Sequence, residues 1–241
     1  YYMSVFLIPK KFQKTIDAIR RTFFWTADET CSGAQCLISW KNVCKPKKFC
    51  GLGLKNLHVQ NKCLLLKFAT MSLLPSDTPW QDWLTLQHPN AFVAPDSNQS
   101  YLCRTINLQM PTLHKITFVI TNNGTSTYFW LDTWLTQLPL AHTFPNLFSH
   151  SLVPLVRVAN IMRFGLDYNL RNRLTFVATQ ELVSLLSLLQ DFMPSPEHDE
   201  RFLLGGSRFS IKEAYAVLLC EPDNDLNSTL IWCSRVPNKI K

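Results

Sequence analysis

Cationic side chains able to grip phosphate crowd one end of this 241-residue chain. Residues 1–67 carry twelve Lys and Arg against Asp17, Asp28 and Glu29, a net of +9, while the remainder carries twelve against fourteen acids, a net of −2. The whole-chain charge of +7 is therefore the excess of one end. Lys10, Lys14, Arg21, Lys45, Lys47, Lys48, Lys55 and Lys62 are the candidate contacts, each a long stem ending in a positive charge. A one-ended basic excess with aromatic residues interleaved points to a polyanion, nucleic acid first, with an acidic membrane surface or acidic protein as weaker alternatives. Such cations would position a nucleic acid, not read its sequence.

Other chemistries find little support. Cys31-x4-Cys36 and Cys44-x5-Cys50 are looser than zinc-knuckle spacing, and no paired His follows. The Gly51-x-Gly53 turn stops short of a dinucleotide fingerprint because position 56 is Asn, and no phosphate-loop motif occurs. Neither GxSxG, HExxH nor a strand-borne pair of carboxylates is present; the nearest acid cluster, Asp223 and Asp225, sits in a proline-containing loop. Asp132, between Trp130 and Trp134, reads as a turn cap or indole partner before it reads as a catalyst. No catalytic residue, metal ligand or cofactor is expected in this chain. Eight irregularly spaced cysteines favour reduced thiols, and the sequons at Asn98, Asn123 and Asn227 would matter only in a secreted chain. No apolar run approaches the roughly 18 residues needed to span a bilayer, and the start YYMSVFLIPKK lacks a cleavage pattern. The expectation is a globular intracellular protein of nucleus or cytoplasm, neither secreted nor membrane-bound.

The elements that must position the lysines follow from periodicity. Pro9 suits a first helical turn, and Phe12, Ile16, Ile19 and Phe23 then recur within about 60° on a helical wheel. That stripe predicts a core-facing side, with Lys10, Lys14 and Arg21 opposite. Leu37 to Trp40 reads as a short strand, and Lys45 to Lys48 as a loop whose lysines reach outward. Gly51 and Gly53 are expected to supply positive φ angles for a turn before the next helix. In that helix Leu57, Leu64, Phe68 and Met71 mark the buried stripe, with Lys55 and Lys62 on the far side. Asn61 shares the stripe, and a buried amide left unsatisfied costs roughly 1–3 kcal/mol, so it is expected to bond the glycine turn.

Composition shifts after Pro75, placing a boundary between 75 and 100. Asn122-Asn123-Gly124 is a turn signal, and TSTYFWLDTWL after it suggests a short hairpin. Residues 174–189 form a predicted helix with Leu174, Val177, Leu185 and Leu188 toward a core. Ser210 and Glu213 make a capping box that opens a helix through Leu218. The predicted class is mainly α with short β-hairpin elements, a helical bundle followed by an irregular aromatic-rich connector.

Five pieces in order carry a resemblance: IPKKFQKTIDAIRRTFFW, ISWKNVCKPKKFCGLGLKNLHVQNKCLLLK, STYFWLDTWL, PLAHTFPNLFSH and FSIKEAYAVLL followed by IWCSRVPNKIK. Together they resemble the carboxyl-terminal part of plant LINE-type (non-LTR) retrotransposon reverse transcriptases. The resemblance implies a thumb-like basic segment over 1–75, a connector over 76–205, and over 206–241 the truncated start of a reverse-transcriptase zinc-binding domain, sometimes followed by an RNase H-like domain. It implies a parent RNA-directed DNA polymerase whose catalytic aspartates, with their Mg, precede Tyr1, and whose Zn ligands follow Lys241. The partners implied are RNA or RNA–DNA hybrid, the palm, and the zinc-binding and RNase H-like domains. Two departures stand out. Cys50 replaces the first glycine of the usual Gly-Gly-Leu-Gly, and Phe68-Ala69-Thr70 replaces a Trp- and Arg-containing stretch. Two functions follow as expectations: a non-catalytic fragment that helps hold template–primer, or a structural, protein-interacting fragment of a decayed retroelement without activity of its own.

Overall fold

The computed structural model describes residues 2–27, 32, 35–49, 51–74, 78–82 and 100–219. Over the described residues it is mainly α-helical with one small antiparallel sheet, the class expected from the sequence. The chain divides into two compact units, one of residues 1–65 and 215–241, the other of residues 66–214.

The first unit holds α1 (Tyr2–Val5), α2 (Lys10–Thr26), α3 (Trp40–Val43) and the start of α4 (Leu57–Met71). Helix α2 ends where Ala27 turns left-handed (φ 56°) and its N–H closes on the Phe23 carbonyl. Its apolar stripe does not face a core. Phe12, Ile16, Ile19 and Phe23 are 62, 40, 65 and 70% exposed. The packed side lies roughly 90° round the helix and is held by polar groups. Gln13, buried, donates to the Ile8 carbonyl and meets His58 Nδ1, while Arg20 donates to the Lys55 carbonyl and stacks on Trp40. Periodicity locates an apolar stripe but cannot say what covers it.

The strand expected at Leu37 to Trp40 is absent, because Ser39 Oγ accepts the Asn42 N–H at 3.3 Å and starts α3 there. Pro46 does not exclude helix either, since Lys47–Phe49 forms a 3₁₀ turn. In α4 the buried positions are Asn61, Cys63, Leu65, Leu66, Ala69 and Thr70; Leu57, Leu64, Phe68 and Met71 are only half-buried. A helix with apolar residues at 63–66 is greasy on every side, so a wheel discriminates poorly.

In the second unit, α5 (Tyr101–Ile116) is capped by Ser100 and runs directly into β1 (Thr117–Ile120). Its strand partner is β2 (Glu200–Leu203), with Thr117 opposite Leu203 and Phe118 stacked on Phe202 at 5.6 Å. The segment expected to form a local hairpin therefore folds differently: TSTYFWLDTWL is irregular, touching strand geometry only in a bridge from Tyr128 to Arg157. Its aromatic side chains build the core instead. Phe129 and Trp130 are fully buried with Leu140 of α6 (Leu140–Thr143), Leu147 of α7 (Pro145–Ser149), Ile161 of α8 (Val158–Phe164) and Leu185 of α9 (Phe176–Leu189). The buried stripe of α9 is Ala178, Leu182, Leu185 and Leu189, whereas Val177 and Leu188, expected inside, are 48 and 39% exposed. Ser210 Oγ accepts the Glu213 N–H as expected and opens α10 (Ile211–Leu219), while the Glu213 carboxylate accepts the Ser210 hydroxyl instead of completing the capping box at its N–H.

Candidate nucleic-acid interface

The basic loop of the first unit is closed by its own carbonyls. Val43 accepts from the Leu52 N–H, Lys45 from Gly53, and Pro46 from both Phe49 and Gly51, at 2.8 to 3.1 Å. Gly53 has the expected positive φ, 73°. Gly51 does not; it is required because a Cβ there would sit 2.0 Å from the Lys45 carbonyl oxygen. With the backbone spent on itself, the side chains point away: Lys47 is exposed and Lys45 half-buried. The Lys48 side chain lies outside the described residues.

Lys10, Lys14 and Arg21 are exposed on α2, and Lys62 is half-buried on α4. Among the described residues none of Lys10, Lys14, Arg21 and Lys47 is paired with a carboxylate. Lys55 is exposed but engaged, its ammonium 4.0 Å over the Tyr215 ring, whose hydroxyl accepts the Asn56 N–H. His58 is pushed below its ordinary pKa by burial and then by the positive charges of Lys62 and Lys10. Cys63, raised to about 11 by burial, is countered by Lys55 and Lys62. Cys44 is likewise raised to about 11 by burial, so both thiols are protonated and inert at neutral pH.

Asn61 does not bond the glycine turn. Fully buried, it donates Nδ2 to the carbonyls of Met3 and Phe6 at 2.6 and 2.8 Å and accepts the Ile8 N–H at 3.0 Å. An amide with two donors and an acceptor can tie down a segment of backbone that packs on the helix, here one some 55 residues away in sequence.

The second unit contains a polar centre that sequence reasoning only half identified. Asp132 caps its own turn through the Tyr128 N–H, as expected, but neither indole bonds it: Trp130 Nε1 donates to Asn169 and Trp134 Nε1 to the Phe129 carbonyl. Its main partner is Arg201, which donates from two nitrogens at 2.7 and 2.8 Å, and His114 Nδ1 lies at 2.6 Å. Burial opposes ionisation of Asp132, but Arg201 outweighs it and holds the carboxyl well below the usual range. Asp199 gathers the turn at 122–127, accepting from the N–H groups of Asn122, Gly124 and Ser126 and from two hydroxyls. Burial again opposes its charge, and these donors pull its pKa down. The acid between two tryptophans was a visible signal; its partner 69 residues away was not. Beside this centre lies a cleft of about 860 Å³ with largely aliphatic walls.

Among the described residues no group of three or more His, Cys, Asp or Glu could hold a metal ion, and no helix is long and apolar enough to cross a membrane. Over 257 aligned residues the chain is 24% identical to an Arabidopsis thaliana protein provisionally named a ribonuclease H protein. The alignment covers 99% of this chain, which spans about 40% of that relative's length. No protein-family model matches the chain, and no solved structure matches it.

Proposed function

We propose that this chain is part of a retroelement-encoded, RNA-directed DNA polymerase of the LINE type, and that its basic first unit holds the template–primer by its phosphates. The observation that carries this reading is the set of exposed, unpaired cations at Lys10, Lys14, Arg21 and Lys47, beside Lys45, Lys55 and Lys62. Unpaired surface cations keep their charge for a polyanion and release its counterions on contact. The near full-length similarity to a relative with a nucleic-acid-processing name supports the same reading. On it, residues 1–75 serve as thumb, 76–205 as connector, and the chemistry belongs to other parts of the parent protein, which would carry Mg and Zn.

The test is binding of a labelled RNA–DNA hybrid followed by anisotropy across a salt series. The expected log K falls with log salt at about −0.9 per phosphate neutralised, on the duplex-DNA scale. Lys45→Ala/Lys47→Ala/Lys48→Ala should flatten that slope by up to about 3. Salt-independent binding, or a slope untouched by the triple change, contradicts the proposal.

A second reading has its own observation. The exposed stripe of Phe12, Ile16, Ile19 and Phe23 is a contiguous apolar face of the kind that marks a protein contact. On this reading the chain is a structural, interacting fragment without activity of its own. Self-association of the isolated chain, relieved by Phe12→Ser/Phe23→Ser, with no hybrid binding, would favour it.

A further inference from the structure

We propose that the cleft beside α5 binds a small amphipathic anion, an apolar carboxylate whose tail fills the cleft and whose head meets its basic lining. At about 860 Å³ the cleft falls within the range of sites for small organic ligands. Met110, Leu131 and Leu155 supply aliphatic wall, while Pro111 and Pro139 stiffen the backbone around it. Such walls call for a tail, not a polar solute.

The charge of the lining is one-sided. Lys115, His142 and His114 line the cleft and, among the described residues, no Asp or Glu does. Asp132, the nearest acid to His114, is neutralised by the two-point grip of Arg201 and is not a lining residue. His114 is 7% exposed; its Nδ1 is committed to Asp132, and its buried Nε2 has no hydrogen-bond partner. The lining therefore joins a mostly apolar surface to basic side chains, Lys115 and His142 among them, that favour a negative head group. A nucleotide fits less well. Base edges need several paired donors and acceptors, and the ring face of Tyr128 is already occupied by the Arg157 guanidinium at 3.9 Å.

The probe is dodecanoate below its micellar concentration, titrated calorimetrically into the full chain. One-to-one binding is expected. Lys115→Glu should weaken it tenfold or more. Leu138→Trp and Leu204→Trp, at lining positions 60 and 58% exposed, should obstruct the mouth and weaken it similarly while leaving the near-ultraviolet circular dichroism unchanged. Three results would overturn the proposal: no dodecanoate binding, equal affinity for dodecyltrimethylammonium, or binding indifferent to all three substitutions. Adenosine monophosphate competing at the same site more tightly than dodecanoate would overturn the ligand class in favour of a nucleotide.

Discussion

Arg201→Leu should destabilise the chain in a way that depends on pH. In the native structure Arg201 donates to Thr117 Oγ1 at 3.0 Å and to both oxygens of Asp132, with the two side chains 4 and 1% exposed. Removing one partner of a buried pair strands the other charge, at a cost of about 3–5 kcal/mol. A domain of this size has about 5–15 kcal/mol in total, so the loss is a large fraction of its stability. The sign with pH follows from Asp132. While Arg201 holds its pKa down, the carboxylate stabilises the fold above the ordinary value near 3.9, and this contribution is lost as pH falls below it. Without Arg201 the buried carboxylate keeps only the His114 and Tyr128 hydrogen bonds, so its pKa climbs from the depressed native value and protonation relieves the stranded charge as pH falls from 7 toward 4. The cost of the substitution should therefore shrink over that interval. Urea unfolding followed by tryptophan fluorescence, which senses buried Trp130, gives the midpoints at each pH. Asp132→Leu/Arg201→Leu should cost far less than the two single changes summed, because apolar replacements often substitute for a buried pair. A single-mutant cost below about 1 kcal/mol, or one constant from pH 7 to 4, refutes the reasoning.

Asp199→Asn should cost about 2–4 kcal/mol by weakening the acceptor of the 122–127 turn, seen as faster amide exchange at Asn122, Gly124 and Ser126. Because its native pKa is lowered, the stability it adds is present above the ordinary carboxylate value and fades as pH falls below it; the variant should lack that fading. Gly124→Ala forces a Cβ to 2.7 Å from the Ala159 nitrogen at φ +69°, and a loss of at least about 2 kcal/mol is expected in the same urea assay. Asn61→Leu should leave the Met3 and Phe6 carbonyls and the Ile8 N–H without their partner, at about 2–4 kcal/mol, and limited proteolysis should then cut within residues 2–8 first.

Features whose cause lies within a few residues were legible in the sequence. The cap that Ser210 puts on the Glu213 N–H, the positive φ of Gly53, the turn-capping role of Asp132 and the mainly helical class all rest on local sterics, local hydrogen bonds and hydrophobic spacing. The charge asymmetry needs no structure at all, because net charge is a property of composition. The pairing of β1 with β2 across some 80 residues, Arg201 at Asp132 and Asn61 at the Met3 and Phe6 carbonyls were not legible. Each depends on which distant segment packing brings alongside, and any of several acids, amides or strands could have filled the role on local grounds.

The same division applies to the candidate interface. Sequence alone determined that this protein concentrates cations in its first 67 residues and that a tight glycine turn sits among them. Only the tertiary structure decided that Lys55 is committed to Tyr215, that the charges of Lys10 and Lys62 both act on His58, and that the stripe of α2 faces outward. Helical periodicity specifies which side chains share a face; what that face meets is set by the packing of the whole unit, where Gln13 and Arg20 hold α2 by hydrogen bonds and leave its apolar face exposed.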